Sequence, residues 1–242
     1  MMLLDGAPSD VLPADDPALW RGHAVFETLR TYAGRPYRLD QHLDRLVASA
    51  AWCGVPCPRD VLATEVTAVA RRESQVNILL SPLHRVVRSI PLDVARVGRP
   101  ITARSSPAFD GVPGWVKHTN RLAWTMAAGS ADEALFVAGG RWLELSRSSL
   151  LVVRDGVART PRDDGQILRS VTRAAVIEAA RAAGIELREE RVVVGPVEEM
   201  WAISTLKELA PVETLDGRAI GGGPVGRAIY AAWKATFPAD AA

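Results

Sequence analysis

Three glycine-centred dipeptides set what the second half of this 242-residue chain can become. Gly139-Gly140 separates ALFVA from RWLEL, Asp155-Gly156 separates SLLVV from VART, and Asp216-Gly217 separates PVETL from RAI. Such pairs supply the positive φ angles that a tight hairpin turn requires, so each joins two short strands. Hairpins repeated in this way predict an antiparallel, barrel-like or sandwich-like sheet. One long helix is expected among them, from about Val171 to Ala183. Its start, Arg169-Ser170-Val171-Thr172-Arg173, offers hydroxyls and backbone N–H groups of the kind that hold a phosphate, though on these residues alone a simple N-cap is the better reading.

The first half reads differently. Residues 23–39, HAVFETLRTYAGRPYRL, alternate apolar and polar and break at Ala33-Gly34, which predicts a hairpin. Asp40 stands where an N-cap belongs, before a helix faced by Leu43, Leu46, Val47 and Ala50. A second helix follows, with Val61, Leu62, Val66 and Val69. Arg45 falls at the margin of the first apolar stripe, where a surface arginine can lay its stem along apolar neighbours. Strands are expected near Ile78–Leu80, Val86–Leu92 and Ile101–Arg104. Ser105–Gly114, with two prolines and two glycines in ten residues, is the sharpest break in composition. The expected organisation is therefore α+β: a domain over 1–104, a linker over 105–114, and a second domain over 115–242.

A net charge of +1 gives no electrostatic reason to expect nucleic acid or an anionic membrane as the main partner. Cys53 and Cys57 are too few for a disulfide framework and lack C-x-x-C spacing. His23, His42, His84 and His118 show no metal-ligand spacing, so no metal site is expected. No apolar run is long enough to span a bilayer, and the amino terminus lacks the pattern of a signal peptide, which points to the cytoplasm. No phosphate-binding Walker loop, dinucleotide fingerprint or nucleophile elbow is present. Gly221–Gly226, GGGPVG, reads as a loop leading into the last helix.

Lysine is the rare residue. Of 29 basic residues, lysine occurs only at Lys117, Lys207 and Lys234, and arginine supplies the rest. A lysine amine can work in its neutral form as nucleophile or base, whereas arginine stays protonated. Lys234 falls on an amphipathic terminal helix whose solvated face explains it, and Lys207 stands beside Glu208 as an ordinary ion pair. Lys117 follows the Pro/Gly break and precedes a helix, a junction from which a side chain can enter a cleft. With the hairpin carboxylate Glu144, an arginine at a helix margin and a hydroxyl-bearing helix start, the chain holds the parts that pyridoxal phosphate needs. These are an amine for the aldehyde, an acid for the ring nitrogen, and donors for the phosphate.

The order of these parts resembles the class IV aminotransferase family, the fold type IV pyridoxal phosphate enzymes. Gly22-His23-Ala24-Val25-Phe26-Glu27-Thr28-Leu29-Arg30 is similar to the family's G-x-x-V-F-E-T-x-R, and His42-Leu43-Asp44-Arg45-Leu46 to its H-x-x-R-L. Val116-Lys117, Asp132-Glu133-Ala134-Leu135, Leu143-Glu144-Leu145-Ser146, Thr160-Pro161, Ile167 to Arg173, and Ser204-Thr205 up to Pro211-Val212 continue it in family order. The resemblance implies a small N-terminal α/β sandwich-like domain, a larger barrel-like C-terminal domain, and a homodimer. Carried over by position, it implies that Lys117 forms the Schiff base and Glu144 pairs with the pyridine nitrogen. Arg45, the N–H groups of Val171 and Thr172, and the Thr205 hydroxyl would bind the phosphate. Two departures stand out: Ser170 occupies a position the family commonly gives to glycine, which would strain a backbone needing φ > 0, and Ser149 one it usually gives to asparagine.

Lys117-His118-Thr119-Asn120-Arg121-Leu122 looks like the K-H-x-N-R-L of 4-amino-4-deoxychorismate lyases, which release 4-aminobenzoate and pyruvate in folate precursor synthesis. That reading is placed first, ahead of a branched-chain or D-amino acid transaminase. A non-catalytic relative that only binds the cofactor or a small molecule is the rival from another class. Retention of both Lys117 and Glu144 speaks against it. His84, Arg85 and Arg88 are candidates for a substrate carboxylate, and His23 and Thr28 for the lining of the cleft.

Overall fold

The structure is a computed structural model that describes residues 1–109 and 111–237. Asp110 of the expected linker and residues 238–242 of the expected second domain lie outside the described residues. The described residues form two compact units, one of 1–93 with 115–121, the other of 94–109, 111–114 and 122–237.

The first unit is a two-layer α/β sandwich. Its elements are β1 (Met2–Leu4), β2 (Ala7–Pro8), α1 (Pro17–Arg21), β3 (Val25–Tyr32), β4 (Arg35–Pro36), α2 (Leu39–Cys53), α3 (Arg59–Val69), β5 (Ser74–Leu80) and β6 (Arg85–Pro91). The strands make one antiparallel sheet in the order β2-β1-β6-β5-β3-β4. The expected hairpin is present: Ala33 and Gly34 both have positive φ, 49° and 83°, the geometry of a two-residue turn that follows strand twist. Alternate residues Val25 and Leu29, Val76, Ile78 and Leu80, and Val87 face the helices and bury against Leu43, Leu46, Ala50, Leu62, Val66 and Val69. Asp40 is not the N-cap of α2. The helix begins at Leu39, two residues earlier than that cap would place it, with Arg38 in left-handed geometry at the N-cap position, and Asp40 sits in its first turn beside the helix dipole. Val47 and Val61, expected on the apolar faces, are exposed at 37% and 44%.

The second unit holds β7 (Ile101–Pro107), α4 (Leu122–Ala128), β8 (Glu133–Ala138), β9 (Arg141–Leu145), β10 (Ser149–Arg154), β11 (Val157–Pro161), α5 (Val171–Ala182), β12 (Leu187–Glu190), β13 (Glu199–Ser204), β14 (Glu208–Leu215), β15 (Arg218–Ala219) and α6 (Pro224–Lys234). Its sheet runs β12-β11-β10-β13-β14-β7-β8-β9, with β15 on β14. The three expected hairpins form, between β8 and β9, β10 and β11, and β14 and β15. The sheet is mixed rather than purely antiparallel, because β7 pairs in parallel with β14 and β8, and β11 with β12. The β11–β12 pair is joined through α5, the kind of crossover that parallel neighbours require. The sheet curls toward closure: Trp142 N on β9 donates to Val192 O at 2.9 Å, and Arg141 bridges Val193, just beyond β12 at the other end. A barrel-like core of Ile101, Leu135, Leu145, Leu150, Val152, Met200, Ala202 and Val212 fills the interior.

The boundary expected at 104 and 115 differs from the units on both sides. β7 belongs to the second unit because its ladder partners are there. Trp115–Arg121 belongs to the first, where it lies along the start of β3. Among the described residues no helix is long and apolar enough to cross a membrane.

Candidate active site

Lys117 is clamped through its backbone. Phe26 N donates to Lys117 O at 3.0 Å, Thr119 N donates to Ala24 O at 2.9 Å, and His118 bridges Val25 in antiparallel register. From the other side Lys117 N donates to Ser49 Oγ of α2 at 3.1 Å. Gly22, which opens the β3 motif, has φ 61°, and a Cβ there would stand 3.2 Å from Asn120 Cβ. The chain thus approaches this segment closely only because residue 22 has no side chain. The half-buried Lys117 side chain lies with Nζ 4.6 Å from the centre of the Phe26 ring, within cation–π range.

The other two lysines are neutralised. Lys207 Nζ stands 2.7 Å from Glu133 Oε1, not on Glu208 as its neighbour in sequence suggested, and Glu133 is fully buried. Lys234 does not simply point to solvent, since its Nζ lies 3.3 Å from Oε1 of the fully buried Glu208.

Arg45 is not a surface arginine. Its side chain is 8% exposed, and Nε and Nη2 grip Glu27 Oε1 and Oε2 at 2.6 and 2.8 Å. Glu27 also accepts from Thr28 N at 3.1 Å and from His42 Nδ1 at 2.9 Å. A carboxylate only accepts, so Nδ1 carries the hydrogen. Burial alone would raise the Glu27 pKa, but Arg45 and then His42 overcome it and hold the carboxyl well below the usual range. His42 is pushed down by burial, against the pull of Glu27, and the charges of Arg45 and Lys117 add to the depression. The His42 Nε2 is buried without a hydrogen-bond partner among the described residues. Beside Lys117, burial and then Arg121 lower His118 to about 4.

Glu27 is the residue that the sequence reading missed as a site residue. Its signal was its parity. It shares a face with Val25 and Leu29, and an acid on an apolar stripe implies a buried cation.

The remaining candidates of the first unit separate. Thr28 Oγ1 accepts from Asn77 Nδ2 at 3.1 Å, and Arg88 Nε donates to Asn77 Oδ1 at 3.4 Å, so these two share the sheet face that carries Phe26. Arg85 turns to the helix side and forks onto Glu65 of α3, with Nη2 and Nε at 2.9 and 3.0 Å from Oε1. His84 Nδ1 lies 2.7 Å from Asp5 Oδ2, a bond that raises the His84 pKa. His23 Nε2 sits 3.0 Å from Cys53 O, at the end of α2.

In the second unit, Glu144 projects from β9 and accepts the Leu168 N–H at Oε2, 3.1 Å away. Leu168 leads into α5, whose N-cap is Ser170. That residue has φ −71° and ψ 121°, ordinary extended backbone, and its Oγ accepts from Arg173 N at 3.1 Å. The strain expected from replacing glycine here does not arise, and serine is a favoured cap. As first-turn donors, the Val171 and Thr172 N–H groups have no acceptor within the helix. The Thr172 and Thr205 hydroxyls lie 3.3 Å apart, Thr205 coming from the β13–β14 turn. Arg173 is buried, which lowers its pKa against the opposing charge of Glu189, and it donates to Pro161 O at 2.6 Å. Ser149 is buried at the start of β10, and the adjacent turn is instead fastened by Ser148 Oγ and Arg147 N, each 2.7 Å from Glu133.

This chemistry agrees with the relatives. Residues 24–215 match the family Amino-transferase class IV. The chain is 27% identical over 270 residues to Branched-chain-amino-acid aminotransferase-like protein 1 of Arabidopsis thaliana, covering 93% of this chain and 48% of that one, so it spans about half that protein's length. It is 29% identical over 267 residues to a Mycobacterium tuberculosis protein named bifunctional aminodeoxychorismate lyase / D-amino acid transaminase, covering 93% of this chain and 92% of the other. In fold it is similar to the crystal structure of Escherichia coli branched-chain amino acid aminotransferase, with a TM-score of 0.86 at 23% identity over 100% of this chain and 95% of that one. The chain belongs to the class IV aminotransferases, a family of pyridoxal phosphate enzymes.

Proposed function

We propose that this protein transfers an amino group between an amino acid and a 2-keto acid, with Lys117 as the residue that holds the cofactor and moves the proton. The observation that carries the reading is the placement of the three lysines. Two are tied to buried glutamates, while Lys117 is fixed by its backbone on both sides and lies over an aromatic ring. The donor set fits pyridoxal phosphate as well. The chain holds an amine at Lys117, a guanidinium fixed by Glu27 at Arg45, a carboxylate at Glu144, the first-turn N–H groups of α5 and the adjacent hydroxyls of Thr172 and Thr205.

When bound, pyridoxal phosphate supplies an aldehyde that condenses with an amine and a protonated ring that accepts the electron pair left as a C–H bond breaks. Lys117 Nζ, in its neutral form, takes the proton from the carbon bearing the substrate nitrogen. Glu144, steadied by the Leu168 N–H, holds a proton at the ring nitrogen. Val171 and Thr172 N–H groups and the Thr205 hydroxyl donate to the phosphate, with the positive end of α5 behind them. Arg45 donates to it too. Because Glu27 neutralises much of the guanidinium charge, that role is one of direction more than of net charge.

The lyase placed first by the lysine motif becomes the second reading, because the relatives' names favour amino transfer and lyase activity enters with the bifunctional M. tuberculosis protein. The resemblance further supports a homodimer.

The test is a panel. Cofactor-loaded protein is offered branched-chain L-amino acids, D-alanine and both enantiomers of glutamate, with a keto acid acceptor, and separately aminodeoxychorismate. New amino acid should appear, and should vanish with Lys117→Ala. Release of 4-aminobenzoate and pyruvate without amino transfer would replace this reading by the lyase. No turnover of any amine would overturn both.

A further inference from the structure

The loop that carries Thr205 is tied down at its far end by two buried carboxylates. Ser204 of β13 pairs with Glu208 of β14, which leaves Thr205-Leu206-Lys207 between them. Lys207 N donates to Ser204 Oγ at 3.2 Å, and Lys207 O accepts from Gly98 N at 2.9 Å. Glu208, where the loop rejoins β14, has φ 58°, a left-handed backbone that glycine takes without steric cost and other residues seldom adopt. Its side chain explains why glycine is not there. The fully buried carboxylate accepts from the Tyr230 hydroxyl and from Lys234 Nζ at 3.3 Å, which joins the end of the loop to α6.

The second tie runs through Lys207 to β8. Lys207 Nζ stands 2.7 Å from Glu133 Oε1, and its side chain is only 20% exposed. Glu133 cannot follow the lysine if the loop shifts. Ser148 Oγ donates to its Oε1 and Arg147 N to its Oε2, each at 2.7 Å, so the β9–β10 turn holds the carboxylate in place. A carboxylate buried this fully requires a cation, and Lys207 brings one from the loop. Thr205 lies two residues before that lysine, with its hydroxyl 3.3 Å from the Thr172 hydroxyl in the first turn of α5. Hydrogen bonds weaken steeply as donor and acceptor lose alignment, so a loop released from Glu133 would no longer aim that hydroxyl.

We infer that Lys207, gripped by Glu133, is a positioning residue that holds the Thr205 hydroxyl where it donates to the cofactor's phosphate. The inference rests on the proposal that Thr205 belongs to the phosphate cradle. Lys207 acts through the loop and Glu133 is its anchor.

The test is titration of the cofactor-free protein with pyridoxal phosphate and, separately, with pyridoxal, which lacks the phosphate. Loss of a hydrogen bond to a charged group corresponds to about a 10–100-fold rise in Kd, the effect expected of Thr205→Val on pyridoxal phosphate. Lys207→Met should raise that Kd about tenfold and Lys207→Arg less than about threefold, while pyridoxal changes less than about threefold in both. In the Lys207→Met/Thr205→Val pair, the lysine substitution should add nothing once the hydroxyl is gone, because residues that act through one another are not additive. Lys207→Met strands a buried charge, so Lys207→Met/Glu133→Gln, which strands none, carries the same prediction should the single variant fail to fold. A lower melting temperature with unchanged affinity, equal losses for pyridoxal phosphate and pyridoxal, or full additivity with Thr205→Val would overturn the inference. Unchanged affinity in Thr205→Val would remove the Thr205 role and this inference with it. Cofactor that binds with the predicted dependence on Lys207, in an enzyme that turns over no amine, would instead sink the proposed amino transfer alone.

Discussion

The Glu27 carboxylate has no solvent contact and accepts from a guanidinium, an imidazole and a backbone N–H. Removing the acid strands the Arg45 charge in the interior, so Glu27→Gln should lower stability by about 3–5 kcal/mol in chemical denaturation. The pH dependence has a definite sign. Glu27 is depressed in the folded protein, so the unfolded chain protonates first, and the stability Glu27 confers is complete above its ordinary value of 4.5 and falls as pH drops below it. His118, lowered from 6.5 to about 4 by burial and then by Arg121, acts in the same direction in a higher window. Between about pH 6.5 and 4 it should remove up to about 1.4 kcal/mol per pH unit. Denaturation midpoints of His118→Gln should decline less steeply there than those of wild type. Some slope will remain, because His42 is also depressed by burial. Lys117 stood out as a candidate because lysine is rare in this chain, and Glu144 because the family order placed it. Glu27 could have been found from strand parity alone. The partners of Lys207 and Lys234 could not, since Glu133 and Glu208 reach them only through long-range packing.

Helix α5 ties stability to the proposed site. Ser170 caps it by accepting the Arg173 N–H, so Ser170→Ala should cost about 1 kcal/mol and Ser170→Gly only a few tenths. An equal cost for both would mean that the cap hydrogen bond contributes nothing. The glycine-rich segment before α6 is set by close approach. A Cβ on Gly226 would come within 2.1 Å of the Trp201 indole, and one on Gly223 within 2.3 Å of Glu199 Oε1. Glu199 in turn accepts the Val225 and Gly226 N–H groups at the start of α6, at 2.9 and 2.8 Å. Gly226→Ala should therefore destabilise by more than the roughly 1 kcal/mol gain in helix propensity it brings, giving a lower melting temperature rather than a higher one. Sequence showed the helix and the loop before it. It did not show that Trp201 and Glu199, two strand residues, explain the glycines.

At the scale of the molecule, hairpins and helices were legible because each is a local pattern: positive-φ dipeptides, alternation and a 3.6-residue period. Parallel pairing and the unit boundary were not local. β7 reads like its neighbours in the first half, and only its ladders with β14 and β8 assign it to the second unit. Likewise, Trp115–Arg121 looks like the beginning of the second domain, yet it completes the first by lying along β3 and α2. That excursion carries the central claim, because it brings a single lysine to a fixed place. The direct measurement is to treat the cofactor-loaded protein with borohydride, which joins pyridoxal phosphate permanently to the amine it has condensed with, and to map the labelled peptide by mass. The account predicts one label, on the peptide containing Lys117, and none in Lys117→Ala. Label on Lys207 or Lys234, or retention of label in that variant, would contradict it.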